Sequence, residues 1–247
     1  MRSIIEIFLA ELIGTAFLIV LGCGTVANVV LRGTKGHASG WIVITTGWAM
    51  GVVVGGYAAV ATSGAHLNPV VTVAFCLLDR VSLQLIHVYI AGQFLGAFLG
   101  AVIVWLVYSP HWSLTDDQDA KLGVFCTIPA IRAPVQNLLT EVLATFVLVF
   151  GALKLATPQN FPADKGWDRG MGPLVVGLLV WGIGLALGGP TGYAINPARD
   201  LAPRLAHAVL PIPAKRDADW SYAFVPVIGP LLGGMIAALV HRVTSGS

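Results

Sequence analysis

Two Asn-Pro dipeptides, each followed by a short apolar run, carry the side chains best suited to chemistry in this sequence. They are Asn68-Pro69 and Asn196-Pro197. Asn is a preferred helix N-cap, and Pro is favoured at the first helical position, where no backbone donor is needed. Each dipeptide therefore predicts an irregular segment that leads into the N-terminus of a helix. The Asn side chains would offer amide donors that orient the oxygen of a water molecule.

The helices predicted after these dipeptides are short, at about ten residues or roughly 15 Å. That length covers half of a hydrocarbon core of about 30 Å, so two half-helices entering from opposite sides would meet near its midplane. Irregular backbone is tolerated at that depth only where it is buried in protein or lines a wet cavity. An isolated Asn-Pro would merely open a loop, but two matching copies disfavour that alternative. The candidate pore-lining carbonyls belong to Gly64, Ala65, His66, Gly192, Tyr193 and Ala194.

Arg199 is the first charged residue after the second Asn-Pro dipeptide. A charge near membrane depth is costly, and by default it is functional and faces the protein interior or a wet cavity. A guanidinium has five donors and no acceptor, so it would bind hydroxyl groups or water and repel cations. The dipoles of two facing half-helices would add to this positive potential and oppose protons and cations. The alternative is a purely structural Arg199, paired with Asp200 or with the loop.

Two carboxylates, Glu11 and Glu141, lie inside apolar spans. They could couple transport to protons, but we favour a role as acceptors for backbone N–H groups of the irregular segments, since each half needs the same support. Gln93 is interpreted as a further support. His66 has no Cys, Asp or second His near it in sequence, so we predict no metal site and interpret it as a loop-fixing or lumen-lining residue.

The composition indicates an integral membrane protein. Of 247 residues, 56% are hydrophobic and 11% are charged, and the mean hydropathy is +0.82, whereas a soluble domain carries about 25% charged residues. The apolar runs are continuous rather than alternating, which disfavours a β-barrel. The net charge of +2 indicates no nucleic-acid partner. Six spans are predicted, at about 4–30, 41–61, 83–107, 137–156, 172–188 and 222–243.

The connections between these spans, and the three cysteines, are given a structural interpretation. The stretches 108–136, 157–170 and 206–221 contain Pro and the scarce charges, so we expect surface loops. Cys23 and Cys76 are interpreted as packing residues, and Cys126 as an exposed free thiol. Glycines four residues apart predict closely packed helices, at Gly47, Gly51 and Gly55, at Gly92, Gly96 and Gly100, and at Gly229 and Gly233.

The chain contains an internal repeat. The stretch AELIGTAFLIVLG around Glu11 matches TEVLATFVLVFG around Glu141, and Asn68 corresponds to Asn196 at a nearly equal offset. A half with an odd number of spans must place the next half upside down, and such repeats form a permeation site at their interface. The sequence predicts a single transmembrane channel domain over 1–247, with inverted repeats at about 1–107 and 137–247.

The motifs SGAHLNPVVT and GYAINPARD resemble those of the major intrinsic protein family, within it the aquaglyceroporins of glycerol-facilitator type. The resemblance covers essentially the whole chain. It implies an all-α membrane fold of six tilted transmembrane helices and two re-entrant half-helices, assembled as a homotetramer with one pore per protomer. It implies a selectivity filter at Trp48, Gly184, Tyr193 and Arg199, and a central constriction at Asn68 and Asn196. Glu11 and Glu141 match its loop-supporting glutamates. Asp200 is typical of the glycerol-conducting branch and is predicted to support a loop as well.

Two residues depart from the family pattern. Val70 stands where Ala is usual, and its extra methyl groups are expected to alter packing between the half-helix tips. Tyr193 replaces the more common Phe, and its hydroxyl adds a polar group to the filter or narrows it. Gly184, where strict water channels have His, should leave room for a polyol.

These observations predict a passive channel, without a cofactor and not an enzyme, that conducts glycerol, other small neutral solutes and water while it excludes ions and protons. The alternatives are a channel mainly for water or for protonated small acids such as lactic acid, and an ion-coupled secondary transporter. No nucleophile or metal constellation supports a membrane enzyme, and a structural junction protein would not need the filter residues. We expect a multi-pass protein of a bacterial plasma membrane. Charge leaves its orientation open, with six Lys and Arg on the side of the termini and eight opposite, and the resemblance implies cytoplasmic termini.

Overall fold

The computed structural model describes residues 3–157 and 167–245, which form α-helices joined by turns and loops. Single 3₁₀ turns occur at Leu83–Leu85, Ser109–His111 and Trp220–Tyr222. The helices of the described ranges are α1 (Ile4–Val30), α2 (Trp41–Ser63), α3 (Pro69–Leu77), α4 (Ile86–Val107), α5 (Gln118–Phe125), α6 (Pro134–Leu155), α7 (Trp167–Leu187), α8 (Pro197–Val209) and α9 (Val225–Ser245).

Six segments are long and apolar enough to cross a membrane, which confirms the predicted all-α membrane fold. Within the described residues, they correspond to α1, α2, α4, α6, α7 and α9, with the 3₁₀ turns before α4 and α9 included. The two half-helices predicted after the Asn-Pro dipeptides are α3 and α8. Helix α3 has nine residues and α8 has thirteen, against the ten expected. The predicted connection at 157–170 falls mostly on 158–166, which lie outside the described residues.

Asn68 and Asn196 begin the two half-helices for the same local reason. Both have extended backbone, with φ of −155°, and both are followed by Pro at the first helical position. The Oδ1 atom of Asn68 accepts from the N–H of Val70 at 2.9 Å, and that of Asn196 accepts from the N–H of Ala198 at 3.0 Å. These bonds satisfy backbone donors that have no intrahelical partner.

The glycines spaced four apart allow close helix packing, as the sequence predicted. A Cβ atom on Gly55 of α2 would lie 2.3 Å from the carbonyl oxygen of Gly14 in α1. On the other side of α1, a Cβ on Gly96 of α4 would lie 2.2 Å from the oxygen of Leu12. In the second half, a Cβ on Gly233 of α9 would lie 2.2 Å from the oxygen of Val142 in α6. The backbone at these glycines therefore packs directly on the backbone of the neighbouring helix, which is how membrane helices gain van der Waals contact without a hydrophobic driving force.

Val70 does not pack between the half-helix tips as expected from the sequence. Its side chain is buried in a cluster with residues of α6 and α9, including Val149 and Ala237. A Cβ on Gly234 of α9 would lie only 2.1 Å from Cγ1 of Val70. Because Gly234 has no side chain, it leaves the space that the extra methyl groups of Val70 occupy.

Because of this contact, Gly234→Ala is expected to lower the stability of the protein by about 1–3 kcal/mol through overpacking. Adding Val70→Ala should restore much of the loss, since the second change removes the methyl group in conflict. Thermal unfolding of the two single variants and the double variant in detergent measures the coupling. A double variant no more stable than Gly234→Ala would show that the two side chains do not compete for this space.

The stretch 108–136 is not only a surface loop, and this prediction was wrong. It contains helix α5, and it buries Trp112 and Phe125, whose rings stack with centroids 5.6 Å apart. Cys126 is buried too, which contradicts the expected exposed thiol, and burial raises the pKa of this thiol well above its usual range. The charged residues of this stretch favoured a surface loop in the sequence analysis. One of them, Lys121, is nevertheless buried, and its Nζ donates to the oxygen of Pro213 at 2.6 Å. Cys23 and Cys76 are buried, as predicted.

Candidate permeation site

The two half-helices meet at their N-termini, where the Asn side chain of each half donates to a backbone carbonyl of the other half. The Nδ2 atom of Asn68 donates to the oxygen of Ile195 at 2.8 Å, and Nδ2 of Asn196 donates to the oxygen of Leu67 at 2.7 Å. An amide NH₂ group has two hydrogens. Each Asn can therefore hold the two tips together with one hydrogen and present the other to a solute.

A cavity of about 290 Å³ lies beside these tips. Asn68 and Asn196 line it, and Trp48 and Arg199 lie on its wall as well. The remaining wall is mainly apolar and comes from both halves, with Val52, Val60, Val71, Phe75, Leu148, Val176 and Val180 among its residues. This combination of an apolar surface with few polar groups is typical of a binding site for a small molecule.

The irregular backbone before each Asn also reaches this cavity. In the first irregular segment, residues 64–68, every residue lines it; in the second, residues 192–196, Gly192 is the exception. Five of the six predicted carbonyl-bearing residues are thus on the wall: Gly64, Ala65, His66, Tyr193 and Ala194. Leu67 and Ile195, which sequence reasoning omitted, line it as well and accept the two Asn bonds. Their position directly before each Asn was the signal available to find them.

Both irregular segments have the same strained backbone. Ala65 and Leu67 have φ of 56° and 51°, and the corresponding Tyr193 and Ile195 have φ of 39° and 45°. A left-handed conformation costs a non-glycine residue roughly 1–2 kcal/mol, and it persists only where the surroundings hold it in place. The two segments therefore need external support.

Glu11 supplies that support in the first half. Its Oε1 accepts from Ser63 Oγ at 2.5 Å and from the N–H of His66 at 2.9 Å, while Oε2 accepts from the N–H of Leu67 at 2.7 Å and from Gln93 Nε2 at 2.8 Å. The side chain is fully buried. The bonds from the N–H groups of His66 and Leu67 hold the strained backbone of the first irregular segment, and those from Ser63 and Gln93 orient the carboxylate.

Glu141 makes the corresponding contacts in the second half. Its Oε1 accepts from Thr191 Oγ1 at 2.7 Å and from the N–H of Ala194 at 2.9 Å, and Oε2 accepts from the N–H of Ile195 at 2.9 Å. Thr191 stands where Ser63 stands in the first half. The repeated pattern accounts for two buried carboxylates without a proton-coupling role.

His66 both fixes the first irregular segment and lines the cavity. Its Nδ1 lies 3.0 Å from Thr72 Oγ1, which also accepts from Gln93 Nε2 at 3.0 Å. The imidazole stacks on Tyr89, with ring centroids 4.4 Å apart, and meets Phe75 edge-on. These contacts fit the two roles that the sequence left open, and they tie Gln93 to the same network.

Arg199 lines the cavity and is not paired with Asp200, which pairs with Arg204. Its side chain is 7% exposed, and its guanidinium carbon lies 3.7 Å from the ring centroid of Trp48. Within 3–157 and 167–245, no ion pair or hydrogen bond involves this guanidinium. A cation over a Trp face is favourable, and the contact leaves the planar guanidinium donors free to bind a solute.

Asp200 supports a different segment of the chain. Its Oδ1 accepts from Arg204 Nε at 2.9 Å, and its Oδ2 accepts from the N–H and Oγ1 of Thr127 at 2.7 and 2.6 Å. Arg204 is fully buried and also donates to the oxygens of Thr127 and Ala218. The carboxylate and guanidinium thus hold Thr127 against Gly192. Sequence reasoning missed Arg204 and Thr127, and only the spacing of Asp200 and Arg204 by one helical turn could have suggested their pairing.

Gly184 acts through Tyr193 rather than on the cavity wall. A Cβ on Gly184 would lie 2.8 Å from Cζ and 2.9 Å from the hydroxyl oxygen of Tyr193. The Tyr193 ring therefore occupies the space that a side chain at Gly184 would need. The structure brings three of the four predicted filter residues to the cavity, namely Trp48, Tyr193 and Arg199, with Gly184 behind Tyr193.

A family model described as major intrinsic protein matches residues 2–241. The chain belongs to the major intrinsic protein family. This family consists of passive transporters, so the chain is a multi-pass membrane channel and not an enzyme. The fold and the family resemblance predicted from the sequence are confirmed.

Individual members of the major intrinsic protein family are similar to this chain over nearly its whole length. A probable glycerol uptake facilitator protein of Thermotoga maritima is 55% identical over 237 residues, which cover 96% of this chain and 98% of that protein. The glycerol uptake facilitator protein of Bacillus subtilis is 49% identical over 95% of this chain and 83% of its own length. The solved structure of the aquaglyceroporin from Plasmodium falciparum superposes with a TM-score of 0.84 at 28% identity, covering 97% of this chain and 96% of that one.

Proposed function

We propose that this protein is a passive channel for glycerol and other small neutral solutes, with water, and that it excludes ions and protons. The observation that carries the proposal is the guanidinium of Arg199, which has no ionic partner in the described ranges and lies against Trp48 on the wall of a mainly apolar cavity. The names of the Thermotoga maritima and Bacillus subtilis relatives support glycerol as the solute.

The proposed filter consists of Trp48, Gly184, Tyr193 and Arg199, and it is amphipathic. A polyol can place its C–H edge on the aromatic rings and its hydroxyl oxygens on the guanidinium donors. Dehydration of the solute is offset at these donors and at the carbonyls of the irregular segments. Such a wall favours a small solute that has hydroxyl groups along one edge and C–H groups along the other.

Ion and proton exclusion follows, in this proposal, from the central constriction at Asn68 and Asn196. Both half-helices direct their N-termini there, and each contributes about half a positive charge. A water molecule that accepts from the free hydrogens of both Asn side chains must point its own hydrogens outward. This orientation interrupts a proton wire, and the positive potential opposes cations.

Stopped-flow light scattering on proteoliposomes tests the proposal. Glycerol flux should exceed that of protein-free vesicles, should not saturate, and should be unchanged when proton and sodium gradients are collapsed. Saturating flux that needs a gradient would support the ion-coupled transporter instead. Permeabilities to water, urea, dihydroxyacetone and lactic acid, measured in the same vesicles, rank the solutes. They also test the alternatives of a channel mainly for water or for protonated small acids.

Because a side chain at Gly184 meets Tyr193, Gly184→Ala is expected to push the Tyr193 ring toward the path. The ratio of glycerol flux to water flux should fall about threefold or more, because the larger solute is the more sensitive to the width of the filter. Gly182→Ala is a matched control on the same helix, because a Cβ there meets nothing within 4 Å. Equal losses of glycerol and water flux in Gly184→Ala would contradict the filter assignment.

We also propose a homotetramer of two-repeat protomers in a bacterial plasma membrane, with cytoplasmic termini. The matching supports of Glu11 and Glu141, and the facing N-termini of α3 and α8, favour inverted repeats at about 1–107 and 137–247. For orientation, three of the eight basic residues opposite the termini are buried in the protein: Lys121, Arg199 and Arg204. Without these three buried residues, six basic residues remain on the side of the termini and five opposite, so charge still leaves the orientation open and cytoplasmic termini rest on the family resemblance.

A further inference from the structure

Trp41, the first residue of α2, contacts two of the proposed filter residues. Its indole Nε1 donates to the carbonyl oxygen of Gly184 at 2.9 Å. Its ring meets that of Tyr193 edge-to-face, with centroids 5.9 Å apart and an interplanar angle of 78°. One side chain thus links the start of α2 to the last turn of α7 and to the second irregular segment.

The space around Trp41 and Tyr193 is tightly filled. A Cβ on Gly188 would lie 2.5 Å from Cδ1 of Tyr193 and 2.8 Å from Cζ2 of Trp41. A Cβ on Gly184 would also meet the Tyr193 ring. Both aromatic rings therefore lie directly against the glycine backbone at 184 and 188. The Tyr193 ring is therefore confined by glycine backbone on one side and by the Trp41 ring on another.

The hydroxyl of Tyr193 does not fix the ring. It is buried, and among the described residues it has no hydrogen-bond partner. The orientation of the ring consequently depends on its packing contacts, of which the edge-to-face contact with Trp41 has a specific geometry. Trp41 itself is 39% exposed, so it is held by these contacts and not by burial in the core.

We propose that Trp41 is a positioning residue, which fixes the Tyr193 ring and the Gly184 carbonyl and thereby sets the width of the filter. This inference rests on the proposed function, because it takes the filter to be the place where solutes are selected. Without Trp41, the Tyr193 ring can swing away from the glycine backbone toward the space that the indole leaves. The filter then widens and discriminates less well against a bulkier polyol.

The test compares glycerol with ribitol, a longer linear polyol, and with water in the same proteoliposomes. In Trp41→Ala, the ratio of glycerol to ribitol permeability should fall at least about threefold, while water permeability stays within about twofold of wild type. Trp41→Phe keeps an aromatic edge but loses the N–H donor, so its ratio should fall less. Trp220→Ala is the matched control, because Trp220 is likewise the first residue of its helical segment, the 3₁₀ turn Trp220–Tyr222, and is 50% exposed. Its glycerol-to-ribitol ratio should not change.

An unchanged ratio in Trp41→Ala vesicles that retain water permeability overturns the inference. A parallel loss of water and polyol flux in both Trp41 variants, with a lower unfolding temperature, also overturns it, because a merely structural role predicts that result. Wild-type vesicles that conduct water but no glycerol would overturn the proposed function along with the inference, and this is seen before any variant is compared. Glycerol conduction with an unchanged ratio overturns the inference alone.

Discussion

Glu141→Gln is expected to lower glycerol and water flux to less than about a tenth of wild type and to destabilise the protein by roughly 2–4 kcal/mol. The carboxylate accepts from Thr191, Ala194 and Ile195 through both of its oxygens. A Gln side chain has only one acceptor oxygen, and its NH₂ group would face a backbone N–H of the second irregular segment. The strained backbone at Tyr193 and Ile195 would then lose the bonds that hold it.

The measurements are the unfolding temperature in detergent and stopped-flow flux per reconstituted protein. Glu11→Gln should behave alike, since its oxygens accept four bonds. Asp116→Asn is the control, because its ion pair with Arg32 is exposed and such pairs contribute about 0–1 kcal/mol. A fully stable Glu141→Gln protein that conducts normally would refute the supporting role. A stable protein that loses only gradient-dependent flux would point to proton coupling.

Arg199→Val should raise proton conductance at least about tenfold. At an effective dielectric constant of 20, a unit charge about 4 Å from a permeating proton raises the energy of that proton by on the order of 4 kcal/mol. A tenfold change in conductance corresponds to about 1.4 kcal/mol. The increase is expected to be limited, because the constriction at Asn68 and Asn196 remains. Arg199→Lys keeps the charge but loses the planar fork and the contact of that fork with the Trp48 ring. It should therefore exclude protons while conducting less glycerol.

A pH-sensitive dye trapped in proteoliposomes under an imposed proton gradient measures the leak, and light scattering on the same vesicles measures glycerol. The two variants are matched, because Arg199→Val removes the positive charge whereas Arg199→Lys keeps the charge and changes only the arrangement of its hydrogen-bond donors. If Arg199→Val vesicles are no leakier than wild type while they conduct glycerol, the guanidinium does not face the path. If Arg199→Lys leaks as much as Arg199→Val, charge is not the cause of exclusion.

The elements near the two Asn-Pro dipeptides were predictable because their causes are local. Asn at the N-cap and Pro at the first turn determine where α3 and α8 begin, and the repeated Glu11 and Glu141 indicated which side chains support the segments before them. The apolar spans were predictable from composition, with boundaries within a few residues of the observed helices. The symmetry of the two halves made each inference from one half a prediction for the other.

The features that escaped prediction depend on contacts between distant parts of the chain. Helix α5 is short and rich in charge, and its burial depends on partners such as Trp112 and Pro213. The direction of the Val70 side chain is decided by Gly234, which is far away in sequence. The bond of Trp41 to Gly184 joins α2 to α7 and has no sequence pattern. Periodicity and capping signals contain no information on such contacts.

A high-resolution experimental density map of the protein prepared in glycerol tests the conduction path most directly. We expect a single file of ordered solute and water that passes between the free amide hydrogens of Asn68 and Asn196 and contacts the guanidinium of Arg199 beside Trp48. Half-helix tips that are separated, or an Arg199 side chain that is turned away from a closed path, would contradict this expectation.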